Sequence, residues 1–164
     1  MADVEDLLDE LRDYIIDNWS AKARTVNAAH KTDANPFEIK EDLADVFIAE
    51  QSLEQVSQYP IVYLLADRSR NETFQVAGDD DWSIRVDIGI FEIDQDRERL
   101  QRKMFRYVED VIWALLKDAH VASPQKLTWH LGTSGELIEV DWGAILTRGE
   151  EFMNDARITA RFRK

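Results

Sequence analysis

The stretch Trp82–Leu116, WSIRVDIGIFEIDQDRERLQRKMFRYVEDVIWALL, holds two hydrophobic periods joined by a short acidic turn. From Ser83 to Ile93 the residues Ile84, Val86, Ile88 and Ile90 alternate with Ser83, Arg85, Asp87 and Gly89, the pattern of a strand with one buried face. Phe91 breaks that alternation. From Leu100 the apolar positions become Leu100, Met104, Tyr107, Val108, Val111, Ile112, Leu115 and Leu116, the spacing of one face of an α-helix. Asp94 and Asp96 stand where a helix start offers free N–H groups and a positive dipole end, so both read as capping residues. The sequence therefore predicts a strand and an amphipathic helix joined by a capped turn, with the rest of the chain packed around this unit.

Working outward, Asp3 to Trp19 predicts a first helix with Val4, Leu7, Leu8, Leu11, Ile15 and Trp19 on one stripe and acids elsewhere. Ser20 to Pro36 is polar, shows no clear period and ends in Asn35-Pro36, which reads as an ordered loop or irregular arm. Between Phe37 and Glu50 the spacing of Ile39, Leu43 and Val46 would suit a helix and Asp45-Val46-Phe47-Ile48-Ala49 a short strand, of which the strand near Val46 is favoured. Tyr59-Pro60 opens a strand from Ile61 to Ala66, with proline at a position a strand tolerates. Asp67 to Asp81 reads as a projecting, hairpin-like connection. Pro124 forbids continuation of the main helix, which ends between His120 and Pro124. Three strands should follow, Lys126 to Leu131, Leu137 to Leu146 and Asp155 to Phe162, the first two joined by a turn at Gly132-Thr133-Ser134-Gly135. The expected fold class is α+β, a single domain over residues 1–164 with two amphipathic helices on one face of a mainly antiparallel sheet.

Composition narrows the function classes. Hydrophobic residues at 45% allow a folded core despite 32% charged residues. With no cysteine, disulfides, thiolate catalysis and thiolate metal sites are excluded. The acidic N-terminal segment lacks the basic and apolar regions of a secretory signal, and no run approaches a membrane span, so a soluble, unexported chain without a membrane partner is expected. A net charge of −13 disfavours nucleic-acid binding, which needs a basic surface to displace counterions. The acids divide into 19 Asp and 14 Glu against 13 Arg and only 7 Lys. Such a surface suits a halophilic host, where salt screens the self-repulsion.

Candidate chemistry is sparse. His30, His120 and His130 have no partners at ligand spacing, so no metal site is expected. Asp79-Asp80-Asp81 lacks the alternating acids, glycine and distal glutamate of a calcium loop. No nucleophile elbow, phosphate-binding glycine loop or dinucleotide fingerprint is present, and Ser134 lies in a turn that its glycines already explain. Trp19, Trp82, Trp113, Trp129 and Trp142 read as core or interface rather than a stacking platform. Neither catalytic residues nor cofactors are expected.

Arg97, Arg99, Arg102, Lys103 and Arg106 place five cations in the first half of the main helix, where the dipole disfavours them. Two explanations stand: local pairs with Asp94, Asp96, Glu98, Glu109 and Asp110, or a contact with an acidic neighbouring subunit. Arg157, Arg161, Arg163 and Lys164 repeat the theme at the far end of an acidic protein, and unlike patches on one chain suit head-to-tail association into a ring. The candidate subunit-interface residues are Arg97, Arg99, Arg102, Lys103, Arg106, Arg157, Arg161 and Arg163.

The order of elements, with IIDNW closing the first helix, Tyr59-Pro60-Ile61-Val62, VDIGIFEI, RLQRKMFRYVEDVIWAL and a final ARITARF, resembles the tail-terminator and tail-completion proteins of long-tailed viruses. The resemblance covers most of the chain as pattern and includes Arg106-Tyr107-Val108. It implies a non-enzymatic virion protein that assembles as a ring, usually six-fold, on the tail tube and joins it to the head connector. The implied partners are further copies of the chain, the tail tube protein and the head connector or neck protein, with assembly in the host cytoplasm. An acidic lumen would pass DNA without binding it. The arm at 20–36 and the connection at 67–81 are then expected to touch neighbouring rings. A head-side connector or stopper ring is the nearest alternative. Two other classes remain: a small-molecule or catalytic domain using a cleft beside Trp129, His130 and Trp142, and an adaptor that binds basic partners through its acidic first helix.

Overall fold

A computed structural model describes residues 4–34, 37–49, 56–66, 83–115, 130–131 and 138–163. Within them α1 spans Val4–Ala29 and α2 spans Arg97–Trp113. The strands are β1 (Asp45–Phe47), β2 (Ile61–Ala66), β3 (Ser83–Asp94), β4 (His130–Leu131), β5 (Glu139–Trp142), β6 (Leu146–Arg148) and β7 (Glu151–Arg163). They form one mixed sheet in the order β1-β2-β3-β7, with β4, β5 and β6 all pairing to β7. The β1–β2 pair is parallel and every other pair antiparallel. The fold is α+β, with both helices on one face of the sheet.

The predicted alternation in β3 sets that face. Ile84, Val86, Ile88 and Ile90 lie opposite Phe162, Ala160, Ile158 and Ala156 of β7, so pairs of large side chains alternate with pairs in which a branched side chain meets an alanine. Val62 and Leu64 extend the same surface through their register with Ile90 and Ile88. Leu7, Leu11, Trp19, Leu100, Met104 and Tyr107 from the helices close over it in a single core. On the opposite face Phe91 lies against Tyr63, ring centroids 5.3 Å apart, in a smaller cluster with Val56, Tyr59 and Ile61. Tyr63 also lies across Gly89, its register partner, where an added Cβ would fall 1.8 Å from the ring. A glycine is needed there because an aromatic side chain fills the space.

Three expectations are corrected. The first concerns the arm at 20–36, since α1 continues to Ala29 and only the stretch after it turns. Its buried stripe runs on from Trp19 through Ala23 and Val26, a helical spacing whose small side chains make a weak hydrophobic signal. Abundant alanine also favours helix here. The second concerns Leu137 to Leu146, which is two strands rather than one. The register against β7 shifts by one residue between Trp142↔Ala156 and Leu146↔Met153, the mark of a bulge. At that bulge Gly143 donates its N–H to Asp155 O at 2.9 Å, and a Cβ there would fall 1.7 Å from Asp155 Oδ1.

The third is the start of the last strand, which is Glu151 rather than Asp155. Gly149 (φ 61°) and Glu150 form the two-residue turn between Arg148 and Glu151. Positive φ at glycine and not at Glu150 fits a type II′ hairpin. The connection at 67–81, Asn35-Pro36, the helix end at 120–124, the start of the 126–131 strand and the 132–135 turn lie outside the described residues.

Candidate functional site

Among the described residues, the polar end of the β3–α2 unit gathers buried acids, their donors and the cap of α2. The alternation that buries Ile84 to Ile90 also carries Glu92 and Asp94 inward, and both are buried. Asp96 caps α2, accepting the Arg99 N–H at 2.9 Å. Asp94 does something else: it accepts the Asp96 N–H (2.9 Å), takes two hydrogen bonds from Arg99 Nε (2.9 and 3.0 Å), and pairs with Lys103 Nζ at 2.6 Å. Burial alone would raise the Asp94 carboxyl, but the bonds from Arg99, Lys103 and the Asp96 N–H together hold it well below the usual carboxylate range.

Glu92 is completely enclosed. It accepts Tyr107 Oη at 2.7 Å and the Ile93 N–H at 3.0 Å, with Lys40 Nζ 3.9 Å away. The Lys40 N–H in turn donates to Tyr107 Oη (3.2 Å), Lys40 Nζ to Tyr59 O (2.8 Å), and Trp19 Nε1 to Lys40 O (3.2 Å). Asn27 bonds both backbone groups of Ile39. The segment at 37–40 is thereby stitched to α1, α2 and the sheet. Burial first, then the Glu92 charge, raises the Tyr107 hydroxyl, so it stays protonated and donates. Sequence reasoning missed this network, although the parity that buries Ile90 already places Glu92 on the inner face.

The candidate interface cations divide. Arg99 and Lys103 hold Asp94, and Arg102 pairs with Glu98 at 2.6 Å one turn away. Arg106 is buried over the Phe37 ring, 3.8 Å from its centroid, donating to Phe37 O and to Asp33 (3.0 Å). These four find acceptors inside the chain. Arg97 is exposed at the start of α2, with no partner among the described residues. Arg157 lies on the opposite face of the sheet, 3.9 Å from Asp87 and 3.4 Å from Tyr63 Oη. Arg161 stands directly across from Arg85, and the Arg163 backbone pairs with Ser83 and His130 at the end of β7. The structure does not bring the α2 cations and the β7 cations into one patch.

Other surfaces are modest. Phe105 and Trp142, each 48% exposed, meet edge to face at 4.9 Å where α2 passes β5. An open concavity of about 500 Å³ is lined by Lys40, Leu43, Ser57, Gln58, Tyr59 and Ile93. His30 lies between Asp33 and Glu109. No group of three metal-ligating side chains occurs among the described residues. Trp82, Trp129, His120, Ser134 and Asp79 to Asp81 lie outside them, while Trp19 stacks on Tyr107 in the core. No protein-family model matches the chain, and no curated protein matches it.

Proposed function

We propose that the protein is a structural component of a virus particle, forming a ring that caps the tail tube and joins it to the head connector. The observation that carries this reading is the outer side of the first half of α1, up to Trp19, where Glu5, Asp6, Asp9, Glu10, Asp13 and Asp17 are accompanied by one cation, Arg12, itself paired with Asp9 and Asp13. Repeated around a ring, that surface makes a wall that repels DNA phosphates. The order of elements resembling tail terminators supports the same reading. Half-exposed Phe105 and Trp142 suit burial between subunits. Arg97 is the α2 cation retained for that junction, because Arg99, Arg102, Lys103 and Arg106 serve the fold. The ring needs no catalytic group, cofactor or metal.

Light scattering and negative-stain imaging of the purified protein in high salt test the proposal. A closed ring, and failure to retain duplex DNA at physiological salt, are the expected results. A monomer that neither closes nor binds isolated tail tubes contradicts it. A second reading, a small-molecule-binding domain, rests on the concavity beside Lys40 and Tyr59, whose volume falls in the range of ligand pockets. It predicts a ligand-dependent rise in melting temperature, which the ring reading does not.

A further inference from the structure

His30, just past the end of α1, has Nδ1 2.9 Å from Asp33 Oδ2 and Nε2 3.0 Å from Glu109 Oε2. Carboxylates only accept hydrogen bonds, and a neutral imidazole carries a single N–H. Both contacts can therefore exist together only with the ring protonated. The arrangement is anchored further by Arg106, which reaches the same Asp33 oxygen from α2.

One position along α2 from Glu109, Asp110 is buried to 1% exposure, and its Oδ2 has no hydrogen-bond partner among the described residues. A carboxylate so placed favours its neutral form. The charged and titratable groups around the joint are Lys22 on α1, Asp33 on the turn, and Arg106, Tyr107 and Glu109 on α2.

We propose that the joint between the second half of α1 and α2 is a proton-dependent clasp, closed when His30 is charged and Asp110 is neutral, and loosened as both lose their protons. Electrostatics agree with the geometry. The Glu109 hydrogen bond raises the His30 pKa above its ordinary value of 6.5, against opposition from burial and Arg106. Burial pushes Asp110 up to about 8, with Lys22 opposing. Both pKa values are raised in the folded state, so the stability each contributes is complete below its unfolded value and is lost as pH rises through its folded value. For Asp110 that interval runs from 3.8 to about 8, and for His30 it begins at 6.5. From pH 6.5 upward to about 8 the two act in the same direction on the same helix pair. The clasp is independent of the virion reading.

Hydrogen exchange of the full chain from about pH 6 to about pH 9, corrected for intrinsic rates, tests it. Segment 20–34 should open progressively relative to β3, by at most about tenfold per pH unit for each titrating group. His30→Gln should open the segment already at the acid end and remove the His30 part of the pH dependence, and Asp110→Asn should flatten the part below about pH 8. A wild-type profile parallel to that of β3, or an unchanged profile in His30→Gln, overturns the clasp. Assigned imidazole resonances of His30 in the unmutated protein give a check that no variant's folding can affect. Titration above the ordinary histidine value is expected, and titration at or below it overturns the proposal.

Discussion

The two ends of β3 show one sheet face used in two ways. From Ile84 to Ile90 the inward positions are apolar and dry, and the face is held by side-chain volume. At Glu92 and Asp94 the same alternation delivers acids to the interior, and the face is held by donors arriving from α2 and from the segment at 37–40. Burial is set by strand parity, and the type of residue then decides which partners must come. Apolar positions accept neighbours of the right size, whereas a buried carboxylate requires particular donors at particular distances.

That contrast can be broken by substitution. Ile88→Ala removes volume at the dry end, where the residue is fully enclosed, and should lower unfolding free energy by about 2–5 kcal/mol in denaturant titration. Tyr107→Phe keeps the ring stacked on Trp19 but deprives Glu92 and the Lys40 N–H of their partner, and should cost about 1–3 kcal/mol. If the phenylalanine variant proves as stable as the parent, the polar end is not held by its hydrogen bonds.

The smallest effect is expected from pH at Asp94. A depressed carboxylate contributes stability that is complete above its unfolded pKa of 3.8 and is lost as pH falls through its folded pKa. Acidification below the ordinary carboxylate range should therefore lower the melting temperature, and Asp94→Asn should make that fall shallower. An equally steep fall in the variant assigns the acid sensitivity elsewhere.

Much of the fold was legible because hydrophobic period reports burial directly. The β3–α2 unit and the first half of α1 were readable in that way, whereas the short strand near Val46 competed with a helical spacing and the strand from Ile61 was marked by Tyr59-Pro60 ahead of a continuous apolar run. The second half of α1 was not, because Ala23 and Val26 fill the same stripe with little hydrophobic weight. The break at Gly143 was hidden for another reason: the space it needs is taken by Asp155, a residue of the neighbouring strand. The candidate site divides likewise. Arg102 with Glu98 follows from helical spacing, but Arg106 with Asp33 joins residues 73 positions apart. Local pairing rules cannot supply such a partner.

The central claim is that this chain works by shape and self-association at the tail–head junction. Mass spectrometry and antibody labelling of purified virus particles test it most directly. The account predicts the protein in the particle, labelled at one site where tail meets head. Its absence from particles, or its recovery as a monomer turning over a substrate, would contradict the account.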